Sequence, residues 1–289
     1  IEFGKNAKEI SPETEVVLLT HNSRELASIG TSEAIDRIFV WSGNTQLMVA
    51  IIKLVEDEKN VAHDIRIGNI PVLLLVEDSR RFYSSYLPKL YEEILTQTRK
   101  VVGDSLSFKQ TILRLRARTK VLHATTMEEA IAYVESYGRN LIGLITDAGF
   151  PAMNRKDFQA GLSLIKRVRE RFPNLPILMQ STEKENQEPA ISLGAEFLHK
   201  YNPNLLSELH NFLQFKLGFG DFIFRMPNKN EIGKASTIEE LITKIRVMPN
   251  ESVEFHAINN NFSHWLHTRG EFDLADKIRP FTLDDFNNS

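Results

Sequence analysis

Three carboxylates, a hydroxyl and an ammonium group stand directly at the ends of apolar runs in the middle of this sequence. Glu77 and Asp78 follow PVLLLV, Asp147 closes LIGLITD, Ser181 closes LPILMQS and Lys200 closes EFLHK. PVLLLV has the unbroken apolar character of a central parallel strand buried on both faces. In open α/β sheets, sites form at the carboxyl ends of such strands. Three acids converging there repel one another unless a cation sits between them, and hard oxygen ligands with room for water and a phosphate suit Mg²⁺. A carboxylate can also act as the nucleophile that accepts a phosphoryl group. The Ser181 hydroxyl and Lys200 ammonium could then bind and neutralise its oxygens. A single acid at a strand end is more simply a helix N-cap. Five suitable groups in order, each at a strand end, favour a site.

A sheet has to bring these ends together. The apolar runs alternate with helical stretches: the segment from Ser79, TMEEAIAYVESYG, FQAGLSLIKRVRERF, EKENQEPAISLG and NLLSELHNFLQFK. In the third of these, Leu162, Ile165 and Val168 form a helical apolar stripe. With TKVLHAT at 119–125 as the second strand, five strand–helix units predict an α/β fold, a flavodoxin-like doubly wound five-stranded parallel sheet over residues 69–217. Strand order within it is not readable from the sequence. A partial copy precedes it at 1–66. There EVVLLT, RIFVW and NTQLMVAIIKLVEDE repeat the layout of the last two strands and last helix, with Thr20 in the place of Ser181. Trp41 falls at or next to the place of Lys200. Half a sheet exposes an edge and an apolar face, so this unit is expected to pack on the complete one or on a partner chain.

Residues 218–289 read as a small α+β tail. GDFIFR and EIGKAS flank MPNKN as a hairpin. STIEELITKIR is a helix that Ser236 or Thr237 can cap, with Glu239 or Glu240 reaching back. The stretch ESVEFHAINNNFSHWLHTRGEFDLADKIRP is expected as a strand-like lead into one or two short helices.

The strand-end constellation resembles the receiver domain of two-component response regulators, through LLLVED at 73–78, LIGLITDAGFP at 141–151, PILMQST at 176–182 and GAEFLHK at 194–200. Pro151 also stands where receivers place a proline. The resemblance implies that Asp147 is the phosphoacceptor, and that Glu77, Asp78, Asp147 and the backbone carbonyl of Gly149 hold Mg²⁺. Ser181 and Lys200 would contact the phosphoryl group. Phe197 would be the aromatic switch coupled to Ser181, or else simply a packed edge aromatic. Three features depart from the pattern. Tyr201 replaces the proline that usually follows the lysine, and AMNRKD is not the usual glycine-ended turn. The stretch Ser79–Arg118 exceeds one ordinary connecting helix, so a longer or additional helix is expected. IFVWSGN, LLLVEDSRRFYSSYLPKLYEEI and HAINNNFSHWLHTRGEFDLADKIRP further resemble the regulatory front portion of a family in which tandem receiver-like domains precede a phosphoenolpyruvate synthase or pyruvate phosphate dikinase-type enzyme. Neither the nucleotide-binding nor the phosphohistidine region of such an enzyme is present in this sequence.

Function expectations follow from that likeness. The leading one is a phosphorelay receiver, served by a histidine kinase or small phosphodonor and acting on a downstream output domain or protein. Its rival is a pseudo-receiver scaffold that docks a partner or forms a homodimer without phosphorylation. A phosphatase-like enzyme is a third reading, and the lack of a second general acid near Asp147 counts against it.

Composition removes other classes. Hydrophobic residues at 42% and charged residues at 25% exclude global disorder. Lys+Arg 35 against Asp+Glu 38 gives net −3, so the whole chain is no obvious polyanion binder. Zero cysteines exclude disulfides and thiolate chemistry, and fit a reducing compartment. No apolar run approaches the ~18 residues of a membrane span, and no signal peptide is recognisable, so a cytoplasmic protein is expected. The chain opens IEFGKNAKEI without Met and reads as a piece of something longer. The basic segment 108–120, with Lys109, Arg114, Arg116, Arg118 and Lys120, reads as a solvated helix face or a contact with acidic neighbours before a nucleic-acid patch. His264 and His267 share a helix face but read as surface residues rather than a zinc site. No glycine-rich phosphate loop and no helix-turn-helix is apparent.

Overall fold

The computed structural model describes residues 2–21, 34–102 and 118–278. In chain order the elements are α1 (Glu2–Ile10), β1 (Val17–Thr20), β2 (Arg37–Val40), α2 (Gln46–Gly68), β3 (Val72–Val76) and α3 (Arg80–Val102). Then come β4 (Lys120–Ala124), α4 (Met127–Tyr137), β5 (Leu141–Asp147), β6 (Phe150–Ala152), β7 (Arg155–Asp157), α5 (Ala160–Arg171), β8 (Ile177–Ser181), α6 (Gln187–Ser192), β9 (Glu196–His199) and α7 (Leu205–Phe215). The tail adds β10 (Phe222–Arg225), β11 (Glu231–Ala235), α8 (Ile238–Ile245), α9 (Asn250–Ile258), α10 (Asn261–His267) and α11 (Phe272–Ile278). Among the described residues no helix is long and apolar enough to cross a membrane.

The expected sheet is present: five parallel strands in the order β4-β3-β5-β8-β9. All five residues of β3 are buried. Because successive side chains alternate faces, Leu73 and Leu75 enter one core while Val72, Leu74 and Val76 enter the other. The first core is covered by α3, α7 and α2, and the second by α4, α5 and α6. Helix α4 starts on a capping box, with Thr126 and Glu129 satisfying each other's backbone N–H groups. Register aligns the strand ends: Val76 lies opposite Ala124 and Thr146, Asp147 opposite Gln180, and Ser181 opposite His199.

The first two strands form a separate parallel pair with the register of β8 and β9. Trp41 N donates to Thr20 O at 2.8 Å, as Lys200 N donates to Ser181 O at 2.8 Å. Thr20 and Trp41 thus occupy the positions that Ser181 and Lys200 hold in the large sheet. This pair packs on α3: Ser84 Oγ accepts from Val40 N at 2.9 Å, Tyr83 Oη donates to Ile38 O, and Phe39 meets the Tyr83 ring edge-on at 5.3 Å.

Helix α2 runs on to Gly68, where Asn69 adopts φ 52° and ends it. It seals the edge strand β4, whose free amides would otherwise invite pairing. Asp57, with 0% of its surface exposed, accepts from Val121 N at 2.9 Å, Tyr91 Oη at 2.8 Å and Arg118 Nη1 at 2.9 Å. Lys120 bridges to Asp64 at 2.7 Å. Arg118 and Lys120 are therefore buried partners of acids; Lys109, Arg114 and Arg116 lie outside the described residues. The long connection after Ser79 includes a 23-residue α3.

The tail hairpin forms as expected, with β10 and β11 antiparallel, and Thr237 caps α8 by accepting from Glu240 N. One expectation fails: residues 250–258 are helix, not strand. Their alternating apolar pattern suggests a strand, but Ser252 and His256, four apart, turn to one face and secure the bulge in β10. Ser252 Oγ donates to Arg225 O at 2.9 Å and His256 Nε2 accepts from Arg225 N at 2.7 Å. His267 is likewise no surface residue. It is 2% exposed and faces Asp276, while His264 lies 3.1 Å from Asn174 O.

Candidate functional site

The register of β3, β5, β8 and β9 delivers Glu77, Asp78, Asp147, Ser181 and Lys200 to one end of the sheet. Asp78, Asp147, Ser181 and Lys200, with Gly149 and Lys156, help to line a cleft of about 590 Å³, and Glu77 is buried beside Lys200 and Asp78 in the same cluster of acids. One carboxylate oxygen from each of Glu77, Asp78 and Asp147 lies within 4.8 Å of the others. Two ammonium groups hold these acids together. Lys200, its side chain 3% exposed, reaches Glu77 Oε2 at 2.7 Å and Asp147 Oδ1 at 2.8 Å. Lys156 reaches Asp78 Oδ2 at 2.6 Å.

Burial pushes the Glu77 carboxyl up to about 7; the Lys200 ammonium opposes this and the Asp147 carboxylate adds to it. Its Oε1 accepts from Ser79 N at 3.0 Å. Asp147, less enclosed, accepts from Ala148 N at 2.8 Å. The buried Ser181 hydroxyl accepts from Glu183 N at 3.0 Å and Asn186 Nδ2 at 2.9 Å. Phe82 on α3 places its ring 4.3 Å from Lys200 Nζ, a cation–π contact that adds to the hold on the ammonium. Tyr201, in the place usually held by proline, is exposed and packs its ring 6.4 Å from Phe82.

Three converging carboxylates, one of them with its proton affinity raised by burial, form a donor set that suits a hard divalent cation. Glu77, Asp78 and Asp147 would hold it, and Gly149 lines the same cleft. Phe197 is half-buried against the α4–α6 core and lies opposite Met179; the register partner of Ser181 is His199.

Several residues carry roles that the sequence alone does not reveal. Lys156 sits in an unremarkable polar loop that folds into the β6–β7 hairpin, and no signal points to it. Asn186 and Phe82 likewise lack a signal. Gly161 has one: a glycine near the start of a good helix marks a close approach. A Cβ there would lie 2.2 Å from Asp147 O.

The sheet order β4-β3-β5-β8-β9, with acids at the ends of β3 and β5, is that of a flavodoxin-like doubly wound fold. No protein-family model matches the chain. A protein named as a two-component response regulator (ARR21) from Arabidopsis thaliana is 29% identical over 116 residues, 39% of this chain. The match spans 18% of that relative's length. Among solved structures, a receiver domain protein from Clostridium thermocellum matches at 16% identity and TM-score 0.33, over 49% of this chain and 93% of that one. The receiver domain of an HD domain-containing protein from Pseudomonas fluorescens matches at 18% and 0.34, over 51% and 94%. The chemotaxis protein CheY4 from Vibrio cholerae matches at 22% and 0.30, over 49% and 97%.

Proposed function

We propose that this chain is a phosphorelay receiver in which Asp147 accepts a phosphoryl group from a histidine kinase or a small phosphodonor, with Mg²⁺ held by Glu77, Asp78, Asp147 and the Gly149 carbonyl. The observation that carries this reading is the buried Lys200 ammonium bridging Glu77 and Asp147 in one open cleft with Ser181. Asp147 is the acid at the centre. Attack by one of its oxygens on phosphorus forms the acyl phosphate and releases the donor's leaving group. The bound cation would supply neutralisation of the charge gathering on the transferring oxygens. Lys200 can turn from the two carboxylates to a phosphoryl oxygen by side-chain rotation alone, and Ser181 can exchange its Asn186 bond for the phosphoryl group. Those movements would shift β8, α6 and β9, with Phe197 as the switch aromatic.

The front unit, 1–66, reads as the closing half of a degenerate receiver. Trp41 stands where a lysine would be needed, and β1 and β2 carry none of the acids. Residues 69–217 are the working receiver and 218–289 a separate small unit. The wider likeness makes the output a phosphoenolpyruvate synthase-type enzyme, attached or in a partner, acting in the cytoplasm.

The test is intact mass after incubation with Mg²⁺ and an acyl phosphate donor. A phosphoryl adduct is expected on the wild type and none on Asp147→Asn. Equal adducts on both proteins, or none on folded wild type, would contradict the reading.

A further inference from the structure

Lys200 neutralises Glu77 and Asp147, but the third acid has a cation of its own. Asp78 is paired with Lys156, whose side chain keeps 43% of its surface exposed while that of Asp78 keeps 23%. Lys156 is not a casual surface contact. It sits on β7, opposite Pro151 in the hairpin register. The hairpin is fixed at both ends. Phe150 is fully buried in the second core, and the tip is tied to α4 by Met153 N donating to Glu128 Oε1 at 2.8 Å. The tight turn requires φ 49° at Met153 and φ 60° at Asn154, which holds the two short strands in register. The hairpin thus fixes the root of the Lys156 side chain, and its ammonium meets the Asp78 carboxylate at 2.6 Å on the wall of the cleft.

We propose that Lys156 is a tethered competitor of the divalent cation, occupying Asp78 until the metal displaces it. This rests on the cation reading of the site given above. A metal ion entering between the three acids needs an oxygen of Asp78, and Lys156, held on Oδ2, competes with it for the charge of that carboxylate. The ammonium also repels the incoming ion. Being half in water, Lys156 can swing out at little cost, so it weakens metal binding without blocking it. The cleft would then stay charge-balanced without metal and take up the cation only when its concentration suffices.

The experiment is calorimetric titration of MgCl₂ into the whole chain as wild type, Lys156→Met and Lys156→Arg. A part-exposed ion pair is worth ~0.2–1 kcal/mol, so Lys156→Met should bind Mg²⁺ about 1.4- to fivefold more tightly. Lys156→Arg should stay near wild type. A gain in affinity is a result that mere loss of hairpin structure would not produce. Equal or weaker binding by Lys156→Met, with wild type still binding, overturns the competitor role and leaves the cation site standing. No binding by any of the three proteins overturns the cation site, and this inference with it.

Discussion

Asp57→Asn is the substitution that most sharply tests how α2 is joined to the five-stranded sheet. Asp57 lies on α2 with no exposed surface, and its partners come from α3, β4 and the residues just before β4. Asparagine keeps the shape and can still accept from Val121 N, but it removes the charge. Lys120 retains Asp64 at 2.7 Å, whereas among the described residues the acid that remains for Arg118 Nη2 is Glu56 at 3.9 Å, in place of Asp57 at 2.6 Å. An uncompensated buried guanidinium, its side chain 3% exposed, should cost about 3–5 kcal/mol, as when one partner of a buried pair is removed. Urea unfolding at constant pH measures it. A control is Lys53→Ala, which breaks a pair whose side chains are 31% and 40% exposed and should cost less than about 1 kcal/mol. Loss of under about 1 kcal/mol in Asp57→Asn would refute the idea that this buried network binds α2 to the edge strand.

Two further perturbations follow from the geometry. His123 is buried, donates to Glu77 O at 2.9 Å and has its ring pushed down to about 4 by burial. The unfolded chain takes up a proton near 6.5 that the native ring refuses, so stability falls as pH drops from about 6.5 to 4, by up to about 3 kcal/mol. Urea titrations across that range should show the loss, and His123→Phe should flatten it; an unchanged slope would contradict the assignment. Gly161→Ala would drive a methyl into Asp147 O and Ala148 Cα, 2.2 and 3.0 Å away. It should destabilise by about 1–3 kcal/mol in the same assay and slow phosphorylation of Asp147, whereas wild-type behaviour would mean that α5 shifts freely.

The sheet and its acids are legible in the sequence because buried parallel strands read as plain apolar runs and receiver-like sites sit where those runs stop. PVLLLV and LIGLIT need no neighbour to be recognised. What escapes depends on distant partners. Lys156 acquires its role only when a hairpin lays it against Asp78, seventy-eight residues away in sequence. For Arg118 and Lys120 the sequence leaves a solvated face and acidic neighbours both open, because nothing in 118–120 announces that Asp57 and Asp64 lie across from them. At 250–258 the local alternation favours a strand, and packing of Ser252 and His256 on the β10 bulge makes it a helix. His267 reads as exposed because its burial comes from α11, the next helix in the chain.

The most direct test of the account is to locate the phosphoryl group. Cleavage after Arg139 and Arg155 yields a peptide, 140–155, in which Asp147 is the only side-chain carboxylate. After treatment with Mg²⁺ and an acyl phosphate donor, borohydride trapping of the acyl phosphate should mark that peptide at Asp147, and omitting Mg²⁺ should abolish the mark. Trapping at any other carboxylate, or an Asp147 mark indifferent to Mg²⁺, would contradict it.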